Sequence, residues 1–132
     1  MRGLPGLFLD QLRQAASDDN LIVDPADCWT YGYDNSRRHH PPDAVVFATD
    51  TAQVQAIVQC CFEATVPITA RGRGTGTAGG SVPVAGGVVL SLERMSRILE
   101  TAPANRLMRV EAGVITQSVP TEAGLDGFFW AP

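Results

Sequence analysis

The chain has 132 residues, 45% of them hydrophobic and 18% charged, a composition that fits one ordinary folded domain and excludes a disordered chain. Its formal net charge of −4 argues against general nucleic-acid or anionic-membrane binding, because both depend on a basic surface. All 10 basic side chains are arginine, which removes Schiff-base chemistry, a pyridoxal phosphate anchor and the phosphate-binding lysine of a P-loop.

The chain opens with one cation and a brief apolar patch, interrupted by Pro5 and ended by Asp10, which does not read as a signal peptide. Leu7, Leu9, Leu12, Ala15 and Ala16 recur at nearly helical spacing and predict a first helix ending near Asp18-Asp19-Asn20. Trp29, Tyr31 and Tyr33 alternate with polar or small residues, as on a strand or extended segment with one covered face. They read as packing residues rather than as a base-stacking platform. His39 and His40 lie beside Arg37 and Arg38 without carboxylate or cysteine at ligand spacing, so they read as solvated loop residues and no metal site is expected.

A repeating α/β pattern follows Pro41-Pro42. Ala44-Val45-Val46-Phe47 reads as a buried strand, and Asp50 with Gln53 three residues on makes a variant of the capping box. Val54, Ile57, Val58, Cys61 and Phe62 then form an apolar stripe on a helix. Cys60 and Cys61 point about 100° apart on that helix and cannot bridge one another easily, and Cys61 reads as core. Together with Cys28, the odd cysteine count matches neither a disulfide framework nor a zinc motif and points to a reducing, cytoplasmic setting.

Pro67-Ile68-Thr69-Ala70 reads as a strand running into Arg71-Gly72-Arg73-Gly74-Thr75-Gly76-Thr77-Ala78-Gly79-Gly80, and Val88–Leu92 as the next strand. Ile98–Thr101 and Leu107–Glu111 read as strands joined by a turn at Ala102-Pro103-Ala104-Asn105. Pro120 would disturb the helix expected after Val114 unless it lies in the first turn. The uncharged stretch from Gly74 to Leu92 holds six glycines and Pro83, too many breakers for a membrane helix.

Five glycines in the ten residues Arg71–Gly80 lose much backbone entropy on folding, so positive φ or very close backbone approach is required there. Successive N–H groups in such a turn converge into a nest for a phosphate oxygen. Gly74–Gly79 matches G-x-G-x-x-G, and Glu93 lies at a spacing that suits a ribose-binding acid. The dinucleotide fingerprint, however, requires the loop to open a crossover helix, and Ser81–Gly87 leave no room for one. What remains is a strand, a diphosphate-sized glycine nest and another strand with no helix between.

The run Pro67–Pro83, followed by Gly86-Gly87-Val88-Val89-Leu90-Ser91 and Met95-x-x-Ile98, resembles the FAD-linked oxidases of the glycolate oxidase FAD-subunit and D-lactate dehydrogenase group. These have the p-cresol methylhydroxylase and vanillyl-alcohol oxidase type of flavin-binding fold. The resemblance includes Tyr33-Asp34-x-Ser36, Pro42-x-x-Val45-Val46 and Val110-Glu111-Ala112-Gly113-Val114, and so covers roughly residues 30–132. It implies that Arg71, Gly72, Arg73, Gly74, Thr75, Gly76 and Thr77 lie along the FAD diphosphate, with Gly79 and Gly80 beside them and one of the two arginines in contact. It also implies a full protein that oxidises a 2-hydroxy acid of the glycolate or D-lactate type by hydride transfer to FAD. No residue of this chain is assigned as catalytic.

Several branches of that fold attach FAD through a histidine in the same loop. Thr75 stands at its position here and cannot form the linkage, so the flavin is expected to be held non-covalently. Where the family continues with Pro-Pro-Asp-Pro and a second glycine-rich flavin segment, this chain has Ala131-Pro132, directly after the aromatic run Phe128-Phe129-Trp130. The expected partners are therefore the C-terminal flavin and substrate segments and a small 2-hydroxy acid.

The predicted fold is α+β, the first subdomain of a flavin-binding domain, with a small mainly parallel sheet flanked by helices. Residues 1–30 form a leading helix and extended segment, and residues 31–132 form a diphosphate-binding subdomain truncated at its C-terminus. The alternative is a non-catalytic partial FAD- or nucleotide-binding module.

Overall fold

A four-stranded sheet organises residues 1–94, which form one of two units; residues 95–132 form the other. The structure, a computed structural model, describes residues 3–130. The Met1-Arg2 start of the N-terminal segment and the Ala131-Pro132 ending lie outside the described residues.

The strand order is β1 (Leu21–Ile22), β2 (Ala44–Phe47), β4 (Val88–Ser91), β3 (Ile68–Arg71). Strands β2 and β3 both run parallel to β4, with Val45 opposite Val89 and Arg71 opposite Ser91, while β1 is antiparallel to β2. Every residue of β2 and β4 is buried, as expected of continuous apolar runs covered on both faces, whereas the edge strand β3 is largely exposed until Arg71. On one face Val45, Phe47 and Val89 pack with Cys28, flanked by Ile22 and Tyr31. Alternation along the strands turns Val46, Val88 and Leu90 to the other face.

Helix α1 (Gly6–Ala16) buries Phe8, Leu12 and Ala16 and packs on α3 (Thr51–Glu63) and β2. The capping expectation holds at α3: Asp50 Oδ1 accepts from Gln53 N at 2.9 Å, and Gln53 Oε1 accepts from Thr49 N at 2.9 Å. The stripe is narrower than its apolar residues suggest. Ile57 and Cys61, one i, i+4 ridge, turn inward, while Val58 and Phe62 remain exposed.

The aromatic alternation at Trp29, Tyr31 and Tyr33 does not make a strand. Trp29 ends a short helix, α2 (Pro25–Trp29), because Asp24 caps it through Ala26 N (2.8 Å) and Pro25 occupies its first turn. Tyr31 alone of the three is half-buried, meeting the Phe47 ring edge-on at 5.6 Å. Trp29 and Tyr33 are exposed, and each lies against the exposed His39 ring, at 3.9 and 6.1 Å between ring centres.

No helix separates β3 from β4. The connection ends in Gly86 (φ +69°) and Gly87 (φ +75°), and a Cβ on Gly87 would collide with the Pro67 carbonyl. Gly87 N donates to Asp43 Oδ2 at 2.8 Å while Asp43 N donates to Gly87 O at 2.8 Å, so the starts of β2 and β4 are tied together.

In residues 95–132, β5 (Ile98–Ala102) and β6 (Leu107–Val110) form the expected antiparallel hairpin. Its turn contains a 3₁₀ segment, Pro103–Asn105, and then Arg106 at φ +53°. Glu111 is buried and grips the exposed Arg97 through Nη2 (2.7 Å), Nε (3.0 Å) and backbone N (2.8 Å). Helix α4 (Ser118–Leu125) starts late enough that Pro120 lies in its first turn, where no N–H is needed. A groove of about 450 Å³ between hairpin and helix is lined by residues that include Leu107, Met108, Val119 and Phe128.

Among the described residues no helix is long and apolar enough to cross a membrane. The three cysteines are free; burial pushes the thiols of Cys28 and Cys61 up to about 11.

Candidate cofactor site

The loop 72–80 leaves the C-terminal end of β3, the end of a parallel strand at which open α/β sheets bind ligands. Its glycines fall into two groups. Gly74 (φ +69°) and Gly79 (φ +82°) adopt left-handed backbone, and each also abuts a side chain. A Cβ on Gly74 would fall on the Arg71 guanidinium, and one on Gly79 would lie 3.4 Å from Arg38 Cδ and Ser36 Oγ. Gly76 and Gly80 have neither property: their φ lies outside the left-handed region and a Cβ on either would meet nothing within 4 Å. The unusual φ anticipated across the loop is therefore confined to two of these four positions.

The segment 31–38 backs the loop. Asn35 N donates to Gly76 O at 2.9 Å and Asn35 Nδ2 donates to Thr75 O at 3.2 Å. Asp34 is 4% exposed; its Oδ1 accepts from Ser36 N at 2.8 Å and its Oδ2 from Ser81 Oγ at 3.2 Å. Hydrogen bonds from Ser36, side chain first and backbone second, hold the carboxyl below its usual range against the opposing effect of desolvation, with Ser81 assisting. Asp34 and Asn35 are thus supports that the sequence signals only through the Asp-x-Ser pattern of an Asx turn.

The two arginines behave differently. Arg71 is buried beneath the loop, its Nη1 donating to Tyr31 O at 2.9 Å and Tyr33 O at 3.2 Å with the guanidinium 5.2 Å from the Tyr31 ring centre. Its Nε and the Ser91 hydroxyl opposite it in the sheet are buried without a partner among the described residues. Arg73 is exposed, with Nη2 at 3.5 Å from Glu93 O. Thr75 and Thr77 are exposed, and Gly72 is half-buried. Of the nine predicted positions Arg71 ends β3 and the other eight lie on the loop that follows, with Gly76 and Gly80 leaving backbone uncovered. A Cβ at either position would meet nothing within 4 Å, so the backbone there is open.

A mainly parallel sheet whose glycine-rich strand-to-strand loop lacks a crossover helix defines an α/β unit distinct from the dinucleotide fold, in which G-x-G-x-x-G opens a helix. Residues 42–132 match the FAD binding domain family, and the chain belongs to it; its cofactor is FAD. Glycolate oxidase subunit GlcD of Bacillus subtilis is 35% identical over 124 residues, covering 93% of this chain and 26% of that protein. D-2-hydroxyglutarate dehydrogenase of Escherichia coli is 36% identical over 129 residues, 95% of this chain and 12% of that protein. The chain thus spans about a quarter or less of the length of these curated relatives.

Among solved structures, p-cresol methylhydroxylase with substrate bound superposes with a TM-score of 0.77 at 28% identity, over 95% of this chain and 26% of that one. The 4-ethylphenol oxidase from Gulosibacter chungangensis gives a TM-score of 0.78 at 26% identity, over 96% and 26%. The small, mainly parallel sheet flanked by helices is the flavin-binding fold of these proteins, as the sequence predicted.

Proposed function

We propose that this chain supplies the diphosphate-binding half of the flavin site in an oxidoreductase acting on a 2-hydroxy acid of the glycolate or D-lactate type. Arg71–Thr77, Gly79 and Gly80 form the cofactor-binding segment. One observation carries the reading: Gly76 and Gly80 need no side-chain absence for their φ or for internal packing, so the space before them is left for a ligand. The printed names of the relatives, a glycolate oxidase subunit and D-lactate and D-2-hydroxyglutarate dehydrogenases, supply the substrate class.

When bound, FAD supplies the hydride acceptor. The chain's own residues bind and orient it. Backbone N–H groups of the loop would hold the diphosphate, while Asn35 fixes the loop by holding the carbonyls of Thr75 and Gly76 and Arg71 fixes its root through the Tyr31 carbonyl. Such a reaction also needs a base for the hydroxyl proton and a cation for the substrate carboxylate, and no residue of this chain is assigned either role. With Thr75 in the loop and no histidine among 71–80, attachment is non-covalent.

In the complete protein Gly76→Val should abolish flavin retention, because the branched side chain occupies the space left for the ligand. The wild-type protein denatured in acid should release all its flavin. A yellow, fully loaded Gly76→Val protein would sink the loop assignment, and flavin fluorescence remaining with the denatured wild-type band would sink non-covalent binding.

A further inference from the structure

We propose that Arg38 is a phosphate-contacting residue of this site, placing a guanidinium at the Gly79 end of the glycine loop. The inference rests on the reading above, in which the loop holds the diphosphate, and adds a guanidinium from outside the loop.

Backbone N–H groups provide dipoles but no whole charge, and a chain of net charge −4 must concentrate a cation locally to hold a dianion. Arg71 directs its guanidinium beneath the loop to the carbonyls of Tyr31 and Tyr33. Arg73 leans towards the Glu93 carbonyl. Arg38 does neither. Its side chain is exposed, and among the described residues it makes no hydrogen bond or ion pair.

Its position is nevertheless set by the turn that backs the loop. Arg37 takes φ +66°, Arg38 N donates to Ser36 Oγ at 3.3 Å, and Ser36 N is held by Asp34. That turn lays the arginine stem against Gly79, with Cδ at 3.4 Å and Nη1 at 3.7 Å from the place a Cβ would occupy. These are ordinary van der Waals distances, so the stem rests in contact with the loop at Gly79, where the positive φ of +82° is what calls for glycine. Asp34, the acid of the same turn, directs its oxygens to Ser36 and Ser81. A planar guanidinium in contact with the loop backbone is suited to two phosphate oxygens at once.

The test measures FAD affinity of the flavin-free complete protein by fluorescence titration at low ionic strength, with inorganic pyrophosphate as competitor. Arg38→Ala and Arg38→Gln should each weaken FAD by about tenfold or more, with pyrophosphate weakened in parallel. Arg38→Lys should recover part of the loss, and Arg37→Ala, which removes the same charge from the neighbouring position, should stay within about twofold of wild type. Raising the salt concentration should narrow the gap between wild type and Arg38→Ala, because the lost contribution is a screened charge. Melting temperatures of the flavin-free variants should match wild type, since the side chain has no internal partner. Wild-type affinity in Arg38→Ala or Arg38→Gln, or a deficit independent of salt and absent for pyrophosphate, would overturn the inference and leave the flavin reading standing. A wild-type complete protein that fails to bind FAD would overturn both.

Discussion

Two glycine clusters lie close together in the sequence and do opposite things. At Gly86-Gly87 the backbone is left-handed, a Cβ on Gly87 would strike the Pro67 carbonyl, and Asp43 closes over both residues. At Gly76 and Gly80 the backbone is ordinary and the missing Cβ opens onto empty space. The first pair is required by the fold and the second is free of it. Richness in glycine therefore does not say what a glycine is for; what a Cβ would meet separates the glycines the fold needs from those it does not.

The largest effect should come from the fold-bound pair. Gly87→Ala forces a side chain into left-handed backbone and against a carbonyl, and should destabilise the protein by on the order of 3 kcal/mol in urea unfolding. A loss well under 1 kcal/mol would mean that the β2 and β4 starts can shift at little cost, and the contrast between the clusters would collapse.

Asp34 ties the loop's backing turn to Ser81, the residue that follows Gly80. Its carboxyl is held below the ordinary range, so its ionised form contributes stability that is fully present above the unfolded value near ~3.9. That contribution disappears as the pH falls through the lower folded value. Asp34→Asn should accordingly be less stable than wild type at neutral pH, with the gap closing below about pH 4. A gap unchanged between pH 7 and pH 3 in denaturant titrations would show that the negative charge plays no part. The smallest effect has the opposite sign: Gly76→Ala should stabilise the flavin-free protein by about 0.4–1 kcal/mol, by restricting the unfolded chain at a position with room for a methyl group. Destabilisation there would place Gly76 with the fold-bound glycines.

Much of the framework was legible in local pattern. The α3 cap, the continuous apolar runs of β2 and β4, the hairpin turn and the position of Pro120 all depend on neighbours within a few residues. Helix α2 was misread because the alternating aromatics outweighed Asp24-Pro25, a start signal present in the sequence. The fate of Arg71 was not legible at all. Whether its guanidinium faces a ligand or the protein is decided by the carbonyls of Tyr31 and Tyr33, 40 and 38 residues away. The same holds for Asn35, whose partners are Thr75 and Gly76. Local chemistry marked the loop, and contacts distant in sequence set its support.

The buried thiols give this fold a built-in gauge of its own breathing. Cys28 sits in the cluster of Val45, Phe47 and Val89, and Cys61 on the inward ridge of α3, both with thiolate formation suppressed. An alkylating reagent at mild pH can reach either only when its surroundings part, while the half-buried Cys60 marks reaction without such opening. Site-resolved alkylation rates of Cys28 and Cys61 would thus report separately how often the Val45–Phe47 cluster opens and how often α3 lifts. Cofactor binding that tightens the loop alone would leave both rates unchanged, whereas binding that rigidifies the whole sheet would slow Cys28.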